Sequence, residues 1–194
     1  MQTQQQPPSI EQIREFVIVG HGNLDKVKQM LAENPQLLNA SYRWNENDRE
    51  TAVQAAAQVG SAQVAKFLLE QGAPLEICTA AMLGQRDAVE RLLKDEPQSA
   101  TATGAHGIPL LPHAVWSGDL ELVQLVYKYG ANSGTTLALH NAVARGNYDI
   151  AGWLLENAKP DIGSKNFQGK TPLIVATERK DEKMAQLLRG YGAN

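Results

Sequence analysis

Thr171 to Ala193 reads TPLIVATERKDEKMAQLLRGYGA, two short helices joined by a tight turn. Thr171 is a good N-cap, and Pro172 at the first helical position costs no hydrogen bond, because that amide has no intrahelical partner anyway. Leu173 and Ala176 share a face of the first helix, and Met184, Leu187 and Leu188 recur at i, i+3, i+4 on the second. Lys180 stands at the turn between them, and Gly192-Ala193 ends the unit.

Five earlier stretches superimpose on this one when a glycine is aligned with Lys180: Gly22, Gly60, Gly84, Gly118 and Gly146. Four residues before that position stand Ile18, Ala56, Ala80, Ala114, Ala142 and Ala176. Eight residues after it stand Met30, Leu68, Leu92, Val126, Leu154 and Leu188. Helices only two turns long pack closely when the residue at their crossing is small. A small residue and a large apolar one in fixed relation through six copies predict a stacked repeat, not one closed core. Upstream of the first copy, Ser9-Ile10-Glu11-Gln12 reads as a capping box opening a helix that carries Ile13, Phe16 and Val17.

The pattern Thr-Pro-Leu-His-x-Ala that opens an ankyrin repeat has three counterparts here. They are Thr171-Pro172-Leu173-Ile174-Val175-Ala176, Thr51-Ala52-Val53-Gln54-Ala55-Ala56 and Leu137-Ala138-Leu139-His140-Asn141-Ala142. Gly72-Ala73, Gly130-Ala131 and Gly192-Ala193 close units in the manner of that family. The chain resembles an ankyrin repeat protein over nearly its whole length from Ile10, and its small size and degenerate signatures resemble bacterial members. The resemblance implies an all-α solenoid of about six helix pairs with short β-hairpin or loop fingers. Units are expected near 9–40, 41–73, 74–103, 104–132, 133–164 and 165–194, after a disordered tail at 1–8.

Spacing departs from the roughly 33 residues of an ankyrin unit. Gly60 and Gly84 are only 24 apart, Gly118 and Gly146 only 28, whereas Gly22 and Gly60 are 38 apart. The dispensable part is the finger, so a gap is expected beside the second and third units. The long first finger should lie around Tyr42-Arg43-Trp44-Asn45.

Of the 194 residues, 43% are hydrophobic and 20% charged, with a net charge of -3, an ordinary composition for a folded soluble domain. No cluster of Lys and Arg forms a basic face, which argues against nucleic acid. The single cysteine, Cys78, excludes an internal disulfide and fits a reducing compartment. The Gln- and Pro-rich start, Met1 to Pro8, lacks the basic and apolar regions of a secretory signal. No apolar run approaches the ~20 residues of a membrane span. A cytoplasmic location is expected.

In an ankyrin-like stack the two residues before the turn glycine lie on the inner, concave face. Val59, Met82, Leu83 and Trp116 would then form an apolar patch opening where the finger is missing, and exposed apolar patches mark interaction sites. Ser117 and Arg145 continue the row, and Tyr42, Trp44 and Phe167 stand around its rim. Equally, neighbouring loops could fold over the gap and bury these side chains, and Trp44 could staple an over-long finger. A binding role for Trp116 predicts that Trp116→Ala leaves thermal stability nearly unchanged.

His106, His113, Asp119 and His140 invite a metal or general-base reading, but their spacing matches no metal motif. His140 holds the signature histidine position and should bond backbone. Cys78, six residues before Gly84, should be a small buried hydrophobe. Gly104-Ala105-His106-Gly107 reads as the turn of a finger, and Arg179 to Lys183 as the solvated end of the stack. The expectation is a monomeric, non-enzymatic module without cofactor, recognising another protein or peptide rather than nucleic acid or membrane. The alternative is a small-ligand, metal-binding or catalytic pocket near Trp116 and His113.

Overall fold

In the computed structural model, which describes residues 6–194, local sequence signals set the helix ends. The Gln12 amide donates to Ser9 Oγ at 3.2 Å and the Ser9 amide to Gln12 Oε1 at 2.9 Å, so the expected capping box forms. It opens α1, Ile10–Gly20, which pairs with α2, Leu24–Glu33. A hairpin follows, β1 Ser41–Asn45 and β2 Asp48–Thr51, antiparallel with Tyr42 opposite Glu50. Five further pairs complete the chain. They are α3 Ala52–Val59 with α4 Ala62–Glu70, α5 Ile77–Met82 with α6 Arg86–Asp95, and α7 Leu110–Trp116 with α8 Leu120–Lys128. Then come α9 Thr135–Arg145 with α10 Tyr148–Asn157, and α11 Pro172–Glu178 with α12 Glu182–Gly190.

The all-α solenoid follows from the turns. Gly60, Gly84, Gly118 and Gly146 all adopt left-handed backbone, with φ between 66° and 75°. A residue with Cβ pays for that conformation in sterics, and Lys180 adopts it too, at φ 57°. In four of these turns the second helix's N-cap amide reaches back five residues, as from Asn147 to the Ala142 carbonyl at 2.9 Å. Ala56, Ala80, Ala114, Ala142 and Ala176 are fully buried at the crossing points.

The first turn breaks this register. Gly22 is not left-handed, and the Asn23 amide bonds only four residues back, to Val19 O at 2.8 Å. The slip rotates α1, so Val17 is buried and Ile18 is 41% exposed, unlike the alanines with which the sequence aligns it. Of the expected tail at 1–8, residues 1–5 lie outside the described residues. Farther on, Gln6 O accepts from Asn34 Nδ2 at 3.4 Å.

The trimmed connection between α4 and α5 does remove a finger, but no gap remains there. The next finger, closed by a single bridge between Thr103 and Pro109, folds back with a 3-10 turn at Ala105–Gly107. There His106 Nδ1 lies 2.6 Å from Asp48 Oδ2 on the first hairpin. From α7, His113 Nδ1 donates to Ala57 O at 3.1 Å and Trp116 Nε1 to Gln58 O at 2.9 Å. Both bonds pass over the six-residue α5. Buried apolar side chains form two clusters, one from Phe16 to Met82 and one from Ile77 to Ala193, which meet at α5.

Two substitutions test this account. Replacing Lys180 by glycine removes the left-handed penalty and should raise stability by about 1 kcal/mol, read as a Tm increase of ~2–4 °C. A Cβ at Gly60, where φ is +74°, would lie 2.8 Å from the Trp116 ring. Gly60→Ala should therefore cost about 2–4 kcal/mol in urea unfolding. In a Trp116→Ala background only the backbone part, about 1–2 kcal/mol, should remain; equal costs in both backgrounds would remove Trp116 from that contact.

A cleft on the inner face

The residues ending α3, α7 and α9, together with the loop before α11, converge on one cleft of about 450 Å³. Val59, Ile108, Trp116, Leu137, Phe167 and Val175 supply its apolar walls, with Gln58, Asn141, Asn166 and Gln168 between them. Val59 is 40% exposed and Phe167 is 95% exposed. The Phe167 loop is itself ordered, because Asn166 Oδ1 accepts from the Gln168 and Lys170 amides at 3.0 Å each. A large ring presented to solvent on a braced loop is a ready anchor. Asn141 is locked by donating from Nδ2 to Pro112 O at 3.2 Å.

Trp116 is half-buried and serves two surfaces. One side of the ring packs on Gly60, and Arg145 stands 5.9 Å from its centroid, within cation–π range. Arg145 Nη2 also donates to Trp116 O at 3.4 Å. Because the indole is tied into the stack, Trp116→Ala cannot be neutral for stability, contrary to the expectation attached to a purely binding role.

Of the residues singled out in the sequence, the cleft brings together Val59, Trp116 and Phe167, with Arg145 against Trp116 beside it. It corrects Met82, which is 2% exposed in the first apolar cluster. The turn after α5 is only half-open too, with Leu83 packed on that cluster beside Trp116. The missing finger brings α7 down onto this corner, where a gap had been expected. Ser117 is a turn element: its hydroxyl donates to Ala114 O at 2.6 Å and accepts from the Asp119 amide at 3.0 Å.

Tyr42 and Trp44 lie outside the cleft, stacked edge-on at 4.8 Å on the first hairpin. Trp44 Nε1 donates to the fully buried Glu50 carboxylate at 2.7 Å, and His106 Nε2 approaches the same oxygen at 3.4 Å. Trp44 thus staples the finger. His106, in the sequence both a metal or general-base candidate and part of a finger turn, has partners 58 and 56 positions away, with no local signal to reveal them.

Of the pocket expected near Trp116 and His113, the cleft includes Trp116 but not His113, which is buried against α3. Burial lowers its pKa from the usual 6.5, against the opposing pull of the Ala57 carbonyl. His140 shifts down for the same reason while donating from Nε2 to Ser164 O at 3.0 Å, the backbone bond expected of it. Burial first, and then Glu76, push the Cys78 thiol up to about 12. It packs as an inert small side chain. Among the described residues, no group of three His, Cys, Asp or Glu could hold a metal ion. Nor is any helix among them long and apolar enough to cross a membrane. A more polar depression of about 540 Å³ is lined in part by Arg86 and Asp119, which are ion-paired to each other, with Arg86 Nη2 2.7 Å from Asp119 and Nη1 on Glu121.

Comparison with known proteins agrees with this architecture. The ankyrin repeat models match residues 48–80, 77–166 and 111–194. This chain belongs to the ankyrin repeat family. It is 33% identical over 126 residues to an ankyrin repeat protein of fowlpox virus, FPV014, covering 62% of this chain and 29% of that one. Over 193 residues it is 28% identical to the chicken nuclear factor NF-kappa-B p105 subunit, covering 90% of this chain and 20% of that protein. It is also 26% identical over 133 residues to I-Kappa-B like protein F1 of Microplitis demolitor bracovirus, covering 63% and 80%. The chain thus spans under a third of the first two relatives.

The buried histidines make a signed prediction. Folded His113 and His140 hold protons less tightly than the unfolded chain does, so their contribution is complete above 6.5 and fades as pH falls below it. The unfolding free energy from urea titration should drop between pH 7 and pH 5, by up to ~1.4 kcal/mol per pH unit for each proton taken up on unfolding. Unfolding of His113→Gln should depend less steeply on pH; an unchanged slope would mean that His113 does not carry the effect.

Proposed function

We propose that the chain is a protein-interaction module whose inner-face cleft, walled by Val59, Trp116, Leu137 and Phe167, receives a segment of another protein. Ankyrin repeats in general mediate protein–protein contacts, and that much holds for the family to which the chain belongs. The observation that carries the finer reading is Phe167, 95% exposed on a braced loop at the lip of an apolar cleft. A large exposed ring continuous with an apolar cleft offers a partner an anchor. Because the cleft is fixed by helix packing, docking orders little of this chain, which favours affinity. Relatives named for NF-kappa-B and I-Kappa-B suit a protein partner. A reducing, cytoplasmic setting fits the single buried thiol.

Affinity capture from the cells of origin, followed by mass spectrometry, tests the reading. A Leu137→Asp/Phe167→Asp variant changes two exposed side chains and should keep the wild-type Tm within about 2 °C. Proteins retained by the wild type should be lost from this variant. Identical retained sets would remove the cleft from the function.

A further inference from the structure

From the second unit onward, the residue immediately before each turn changes character along the stack: Val59, Leu83, Ser117, then Arg145 and Arg179. Both arginines are exposed. Among the described residues neither has a carboxylate within ion-pair distance. Lys170 is held by Glu178 at 2.6 Å, and Asp181 accepts from the Tyr148 hydroxyl at 2.8 Å. Arg179 Nη2 reaches the Gly146 turn, 3.9 Å from where a Cβ would stand there and on the next unit beyond Arg145; Asp181 Oδ2 approaches the same point at 3.7 Å without entering ion-pair distance of Arg179. Arg145 is steadied over the Trp116 ring. A guanidinium pre-positioned this way is suited to a planar carboxylate, since its fork matches that geometry.

Building on the cleft reading, we propose that the segment received is acidic: an extended peptide whose apolar anchor sits against Trp116 and Phe167 and whose carboxylates then meet Arg145 and Arg179. The spacing follows from elementary geometry. Packed helices stand about 10 Å apart and an extended chain rises about 3.3 Å per residue. Acidic residues therefore belong about three and about six positions to one side of the anchor. The apolar end at Val59 leaves the other side of the anchor without a charge requirement.

The test uses a displayed library of random dodecamer peptides selected on the full chain, with affinities of the enriched peptides measured by fluorescence anisotropy. The expected winners carry an aromatic or branched aliphatic residue with Asp or Glu at the two stated offsets. Arg145→Glu/Arg179→Glu should weaken them at least tenfold, and peptides with Lys at those offsets should bind that variant better than the wild type. Thermal unfolding checks that the variant is folded, both sites being exposed. Winners that depend on Phe167 but lack acidic residues would overturn the charge assignment and leave the cleft reading intact. Winners indifferent to Phe167→Asp, or no winners at all, would overturn both. Tighter binding of a labelled single-stranded DNA 20-mer, lost in the charge-reversed variant, would assign the arginines to phosphate instead.

Discussion

A tryptophan on a glycine holds this molecule together. Repeat stacks are stabilised between nearest neighbours, so a unit too short to cover its neighbour is a point where the stack can part. Here that unit carries α5, a helix of six residues without a finger of its own. Trp116 reaches across it to the Gly60 turn and the Gln58 carbonyl, and His113 reaches beside it to Ala57. Only glycine leaves room for the ring, since the nearest ring atoms would crowd any Cβ. The outcome is a contact between units that are not adjacent, joining two apolar clusters that would otherwise share only α5.

The same closure shapes the cleft. Pulling α7 toward α3 places Trp116 opposite Val59 and brings Ile108, just past the folded-back finger, into the wall. The finger is fastened separately, by His106 between Asp48 and the buried Glu50. Stability and recognition are therefore linked through shared residues. A ring wedged between helices has few rotamers to lose when a partner arrives, so its contact area comes at little entropic cost. Its dual engagement also explains why exposure alone is a poor guide to which residues of the inner face can bind.

What was legible in the sequence were features repeated in register. Alanine crossings, left-handed turns, caps and the bond from His140 to backbone each depend on residues within about one unit, and six copies reinforce the signal. The first copy shows the limit: Gly22 aligns, but a closing hydrogen bond that spans one residue fewer goes with Ile18 turned outward and Val17 in. The burial of Met82, the hydroxyl bridge of Ser117 and the reach of His106 depend on how trimmed connections relax in three dimensions. Interval lengths alone locate the missing finger. They cannot say whether its place is left open or taken by the next one, because that choice is made by packing between residues 56 to 58 positions apart.

Charge shows the same division between global and local quantities. A net charge of -3 describes how the molecule behaves at distances beyond the Debye length, about 8–10 Å in physiological salt. Inside a cleft, the sign that a partner meets is set by the few groups within that range. Arg86 is tied to Asp119 and Glu121. Against the upward push of its own partial burial, Asp119 is held below its ordinary value, first by Arg86 and then by the Leu122 amide. Such groups are internally neutralised and present little field. Arg145 and Arg179 form no ion pair of that kind among the described residues, though Asp181 Oδ2 stands near Arg179 at the Gly146 turn. An acidic protein can therefore carry a binding face whose local preference is for acid, because matched pairs cancel and only the unmatched charges are left to be read.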